Sequence, residues 1–232
     1  MVVLGLTGSI AMGKSTAAAI FHSFGVPVCD ADRVTHGLLA PGGAAVVLLD
    51  AAFPGCGAPD GGIDRRALGQ LVFGRPDQLA RLEAIVHPLV QAAEARFLAR
   101  CCAAGRPLAV LDVPLLFETG GERRVDAVAV VSAPALIQAQ RVLRRPGMTE
   151  ERLRAIRARQ MSDPEKRRRA DFVIPTGLGR RRSIEAIAGI IDRLRGRPAA
   201  AWPARWRSAA SGLDLVPPGP TWRGTEGPRI GA

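Results

Sequence analysis

The sequence predicts a doubly wound α/β fold, a parallel sheet with helices on both faces. Three observations carry this. Short apolar runs recur at residues 2–6, 26–30, 107–113, 125–131 and 172–174. They are nearly continuous rather than alternating, as strands covered on both faces are. Stretches with apolar residues at helical spacing separate them, and the first run ends in a glycine loop that leads straight into such a stretch.

In chain order, "VVLGL" is a buried strand, and residues 15–24 follow as a helix with Ile20, Phe21 and Phe24 on one side. "VPVCD" is the second strand and closes on Asp30-Ala31-Asp32. Residues 35–106 are a long insertion. Its second half, with "DRRALGQLVF" and "DQLARLEAIVHPLVQAAEARFLARC", has helical spacing and reads as a small helical subdomain over the sheet edge. "PGGAAVV" and "FPGCGAPDGGI" read as turns within it. "PLAVLDV" is the third strand, running on into "PLLFETG"; "VDAVAVV" is the fourth and "DFVIP" the fifth. Ser183 is placed to cap a last helix with Ile184, Ile187, Ile191 and Leu194 on its buried face. Beyond Arg197 apolar periodicity disappears and Pro, Gly and Trp dominate. Residues 198–232, with Trp202, Trp206 and Trp222, are therefore expected to be a disordered tail outside a core domain of residues 1–197.

The bulk properties exclude several classes. No apolar run is long enough to cross a bilayer, and the nearest, "LAVLDVPLLF", carries Asp112 in its middle. The N-terminus has no basic segment ahead of a hydrophobic block, so no signal peptide is read and the expected location is the cytoplasm. Cys29, Cys56, Cys101 and Cys102 form no C-x-x-C pair, which favours reduced thiols. The net charge of +11 is nearly all arginine, since Lys14 and Lys166 are the only lysines, while asparagine and tyrosine are absent. That composition is a coding bias spread along the chain. Without aromatic residues interleaved among the basic ones, it does not make a nucleic-acid surface.

The chemistry begins at "GLTGSIAMGKST". Gly8 to Ser15 fits G-x-x-x-x-G-K-[ST], whose small residues let the backbone curl until its N–H groups point at phosphate oxygens. The following helix presents its positive N-terminus to the same anion. Gly8, Ala11, Met12, Gly13, Lys14, Ser15 and Thr16 are thus the nucleotide-binding residues. Lys14 is expected at the β- and γ-phosphates and Ser15 on Mg²⁺.

The side chains that could face the acceptor stand at the carboxyl ends of the strands: Asp30 and Asp32 after the second, Asp112 and Glu118 on and after the third. Asp30 and Asp32 point the same way if the chain stays extended, and either could face a γ-phosphate and accept a proton from an attacking hydroxyl. The other reading is that Asp30 caps the next helix. Arg141, Arg144 and Arg145 fall at three- and four-residue spacing, so two or three can share a helical face, either on a mobile lid or on an ordinary solvated helix. A regulatory GTPase is excluded, because neither lysine lies in an N-K-x-D or T-K-x-D element. A nucleic-acid-dependent ATPase and a nucleoside-monophosphate kinase are the remaining rivals.

In order, "GLTGSIAMGKST", "CDADRV", "IDRRALGQLVF", "LEAIVHPLV", "LDVPLLFETG", "DAVAVV", "QAQRVLRR", "RARQMS" and "ADFVI" cover roughly residues 1–194. Together they resemble the dephospho-CoA kinase family. The resemblance implies a P-loop kinase with a five-stranded parallel sheet, a helical acceptor subdomain and a lid over about residues 141–160. It implies phosphoryl transfer from ATP, with Mg²⁺, to the ribose 3′-hydroxyl of dephospho-CoA, and no nucleic-acid or membrane partner. By position it makes Asp32 the base or hydroxyl-orienting residue, Arg141 the lid arginine and His87 an acceptor-side residue; Glu118, after the third strand, is counted with the substrate-binding residues. The residues themselves also allow His87 to end one helix and Pro88 to open the next. Ala11 and Met12 stand where the family has glycine and serine, so the methionine is expected to narrow the loop or pack on the helical subdomain. Thr176 stands where the family often has an asparagine near the adenine.

Overall fold

The computed structural model describes residues 1–206. Its strands are β1 (Val2–Thr7), β2 (Val28–Asp30), β3 (Leu108–Asp112), β4 (Ala127–Ser132) and β5 (Phe172–Pro175). They form one parallel sheet in the order β2-β3-β1-β4-β5. Central β1 pairs from Val2 to Leu6 with Leu108 to Asp112, and from Leu4 to Thr7 with Ala127 to Val130. Every residue of β1, β3 and β4 is buried, which is why those runs read as continuous rather than alternating.

The helices are α1 (Lys14–Ser23), α2 (Ala31–Leu39), α3 (Val46–Ala52), α4 (Arg65–Val72), α5 (Pro76–Ala103), α6 (Ala135–Leu143), α7 (Glu150–Arg159), α8 (Asp163–Arg169) and α9 (Arg180–Arg195). Side chains of opposite parity divide the core. Leu4, Leu6, Val110, Ala129 and Val131 pack with Ile20 and Phe21 of α1 and Ile187, Ile191 and Leu194 of α9. Val3, Ala109, Leu111, Val128 and Val130 pack on the other face with Ala95, Leu98 and Cys101 of α5.

The helical insertion has a core of its own, in which Leu38, Leu49, Phe53 and Leu68 are buried and Leu82, Ile85 and Leu89 of α5 lie against them. At 28 residues, α5 is roughly 42 Å long. Its first half serves the insertion and its second half the sheet, so one rigid rod joins the two cores.

Several expectations are corrected. His87-Pro88 does not separate two helices; both lie inside α5. Pro88 offers no N–H to the carbonyl of Ala84, and because both residues are exposed, water can satisfy that carbonyl. "PGGAAVV" is a turn only up to Ala45, after which α3 begins. Phe24 ends α1 and is exposed. Ser183 caps nothing: α9 starts at Arg180, and the buried Ser183 hydroxyl donates to the carbonyl of Pro175 at 2.7 Å. Ile184 sits at the solvent edge of α9, and Ile190 takes a place on its buried face.

The largest correction concerns the tail. Residues 198–206 dock on the core rather than leaving it. Asp126 accepts from the N–H of Val3 at 2.8 Å, of Ala200 at 2.7 Å and of Ala201 at 2.8 Å. Trp206 is 1% exposed and its indole N–H donates to the carbonyl of Arg124 at 2.9 Å. The Arg124 guanidinium lies 4.7 Å from the centroid of that ring and pairs at 3.2 Å with Glu94 of α5. Burial pushes the Glu94 carboxyl above the usual range, and Arg124 opposes that. This docking runs through the Trp206 indole, the buried Ala201, the Arg205 guanidinium on the carbonyl of Val125 at 2.7 Å and two backbone N–H groups, so it has no amphipathic period to detect. Trp222 and the rest of the expected tail lie outside the described residues.

Candidate active site

Two glycines shape the loop between β1 and α1. Gly8 approaches β4 so closely that a Cβ would stand 2.2 Å from Val131 Cγ2 and 2.9 Å from its carbonyl oxygen. Gly13 has φ 91°, in the left-handed region, and is walled by Thr176. Ala11 is also left-handed, at φ 57°, a conformation that costs a non-glycine residue about 1 kcal/mol. No side chain caps α1. Ala17 N–H bonds back to the Gly13 carbonyl, so the N–H groups of Lys14, Ser15 and Thr16 form the positive helix start.

Three successive loop carbonyls are held from outside. Gln138 Nε2 donates to Ile10 O at 2.9 Å, Arg141 Nη1 to Ala11 O at 3.4 Å, and the Thr176 hydroxyl to Met12 O. In a trans peptide the carbonyl and the next N–H point opposite ways. Tying the carbonyls of Ile10 and Met12 outward therefore turns the N–H groups of Ala11 and Gly13 to the other side. This is an anion cradle at a helix N-terminus.

Lys14 lies at its rim, 2.6 Å from Asp112 Oδ1. Asp112 ends β3 and is 2% exposed. Burial raises its carboxyl to about 6, against the lowering effect of Lys14, and the charges of Asp30 and Asp32 add to the rise. The chain does not stay extended through Asp30-Ala31-Asp32. β2 stops at Asp30, whose carboxylate caps α2 by accepting from Arg33 N–H at 3.1 Å. Asp32 is exposed in the first turn of α2. The two carboxylates are thus separated by role rather than aligned by a strand.

Of the three arginines, Arg141 alone lies within α6; Arg144 is the C-cap and Arg145 lies beyond it, both exposed. Arg141 also donates to Thr176 O at 2.6 Å, so it bridges the loop to the end of β5. Glu118 is engaged elsewhere: it pairs at 3.0 Å with the fully buried Lys166 and accepts from Met161 N–H at 2.8 Å. His87 is exposed on α5, in the helical insertion. Met12 does not lie on that insertion. It is buried in the core against Ala133, whose N–H points at its sulfur at 3.2 Å. Thr176 supports the loop from below through Met12 O and Ser132 O.

Residues 2–178 match the dephospho-CoA kinase family. The chain belongs to that family. The dephospho-CoA kinase of Rhodospirillum rubrum is 58% identical over 194 residues, covering 83% of this chain and 92% of the relative. That of Paramagnetospirillum magneticum is 61% identical over 201 residues, covering 86% and 94%. Among solved structures, TT1252 from Thermus thermophilus superposes with a TM-score of 0.72 at 36% identity, covering 83% of this chain and 96% of that one. The dephospho-CoA kinase from Campylobacter jejuni shares the fold at a TM-score of 0.57 and 23% identity, covering 83% and 96%. In this member of the family, Gln138 and Gln160 belong to the loop's surroundings although sequence reasoning gave them no site role, and Thr176, read beside the adenine, supports the loop instead. Gln138 and Gln160 lay unread in "QAQRVLRR" and "RARQMS".

Proposed function

We propose that this chain transfers the γ-phosphoryl group of ATP to the ribose 3′-hydroxyl of dephospho-CoA, giving CoA and ADP. The observation that carries the reading is the anion cradle with Lys14 at its rim, opening toward the carboxyl ends of β2 and β3, where Asp32 and Asp112 stand. The acceptor oxygen forms the new bond to phosphorus as the bond to the ADP oxygen breaks, and Asp32 takes the hydroxyl proton. The cradle N–H groups, Lys14 and Arg141 balance charge on the transferring oxygens. The helical insertion, with His87 on α5, is the acceptor side. Glu118 acts indirectly there, by fixing Met161 and Lys166.

Ser15 would hold Mg²⁺. Burial is the main cause of the raised Asp112 carboxyl, and Asp30 and Asp32 add negative charge nearby that a divalent cation would offset. The ion would supply neutralising charge between phosphates. Among the described residues no helix is long and apolar enough to cross a membrane, and all four cysteines are free thiols. Both support our placing the reaction in the cytoplasm.

The test is ADP formation with dephospho-CoA set against adenosine, AMP, CMP and DNA as acceptors or stimulants. Turnover with dephospho-CoA alone is expected. Activity confined to a nucleoside monophosphate, or stimulation by DNA, would overturn the reading in favour of a rival enzyme class.

A further inference from the structure

Packing holds the phosphate loop at Gly8 and Met12, while Ile10 at its tip is only half-buried. Behind it a cleft of about 590 Å³ opens, lined by Ser9, Met12, Ser132, Gln138, Gln160 and Asp163 among others. What fixes the tip is two side-chain amides. Gln160 Oε1 accepts from Ile10 N–H at 3.1 Å, and Gln138 Nε2 donates to Ile10 O at 2.9 Å. Both peptide groups flanking Ile10 are thereby clamped.

Gln138 is 3% exposed on α6, and its amide is fully committed to a direction. Its oxygen accepts from Arg157 of α7, with Nε at 3.0 Å and Nη2 also in contact. An amide whose oxygen faces a guanidinium can present only its NH₂ to the loop. Arg157 therefore selects the orientation that donates to Ile10 O, and that bond turns the Ala11 N–H into the cradle. A flipped amide would place its oxygen against Ile10 O and release the loop. Gln160 belongs to the same α7 end: it follows Arg159 and precedes Met161, whose N–H is anchored on Glu118.

We propose that Gln138 is a positioning residue for nucleotide phosphate, and that Arg157 couples the placement of α7 to the shape of the phosphate loop by fixing the Gln138 amide. The segment that leaves the loop's vicinity after α6 and returns through α7 reports its position back to the loop through one amide. This deepens the proposed function and rests on it.

The experiment compares wild type with Gln138→Leu, Gln138→Glu, Arg157→Ala and the Gln138→Leu/Arg157→Ala pair. It measures KM for ATP, KM for dephospho-CoA, turnover, and ADP binding by calorimetry. Gln138→Glu keeps the size but has no donor for Ile10 O. Both Gln138 variants should raise KM for ATP and weaken ADP binding by about tenfold, with KM for dephospho-CoA unchanged. Arg157→Ala lies on an exposed helix and should weaken ADP binding roughly threefold alone and not at all in the Gln138→Leu background. Near-normal ADP binding by either folded Gln138 variant, by Arg157→Ala, or additive losses in the pair would overturn the proposal. If Gln138→Leu fails to fold, Gln138→Glu and Arg157→Ala decide it alone. A wild-type protein that binds ADP but does not phosphorylate dephospho-CoA would instead defeat the proposed acceptor, leaving the binding comparison intact.

Discussion

Lys14 and Asp112 form an ion pair of 2.6 Å in which the carboxylate is buried, joining the start of α1 to the end of β3. The lysine is therefore held at the cradle before any phosphate arrives, and little of its freedom is lost when charge develops there. Lys14→Ala should lower turnover roughly 10²- to 10³-fold, the cost typical of losing one charge-stabilising donor in a closed site. Steady-state ADP release measures it. A near-normal rate would mean that the loop does not stabilise the transferring group.

The same pair gives a pH dependence. Burial raises Asp112 from 3.8 to about 6. A carboxyl whose folded pKa lies above its unfolded one stabilises the fold most below the unfolded value and loses that contribution as pH rises through the folded value. Wild type should therefore lose stability relative to Asp112→Asn between about pH 4 and pH 6, by at most about 3 kcal/mol. Urea unfolding at several pH values without nucleotide checks this. Parallel curves for the two proteins would contradict it.

Asp30 and Asp32 should separate cleanly. Asp30→Ala removes the cap of α2 and should cost about 1 kcal/mol of stability, with turnover reduced far less than by the neighbouring change. Asp32→Asn should lower turnover by about 10²-fold or more while leaving stability and ATP affinity nearly unchanged. Thermal melts and kinetics on both variants decide it; a large kinetic loss at Asp30 with none at Asp32 would exchange their roles.

Truncation gives a further contrast. Removing residues 198–232 uncovers the site of Trp206 and leaves Asp126 with one of its three backbone donors. It should cost about 3–5 kcal/mol, the range of deleting a large buried aromatic. Trp206→Ala in the full chain should reproduce most of the loss. Emission of the intact protein should contain a blue-shifted component that both changes abolish. Equal melting temperatures for all three proteins would show that the docking contributes nothing.

The sheet was legible because burial on both faces leaves continuous apolar runs, and all five strands fall where those runs are. The glycine loop was legible because Gly8 and Gly13 serve steric needs that no other residue meets. The supports of the loop were not. Gln138, Gln160 and Thr176 act by reaching backbone atoms more than a hundred residues away, and nothing local marks them. Asp30 and Asp32 misled for a different reason: alternation holds only while a strand continues, and Asp30 itself ends the strand by capping the helix that follows. Trp206 was hidden because a proline-rich segment can dock through a few scattered contacts, without the periodic apolar face that marks a helix.

The three bonds to Asp126 bring residues nearly two hundred positions apart to one carboxylate. Val3 lies on the central strand, and Ala200 and Ala201 are among the last of the described residues; one carboxylate holds all three. That carboxylate cannot fill all three bonds until the segment through Ala201 has been made. Val3 itself must wait for Asp126, 123 residues later, a separation that makes closure slow. A nascent chain stalled before residue 198 would hold all five strands with Asp126 still short of two donors, and synthesis through Ala201 would supply them.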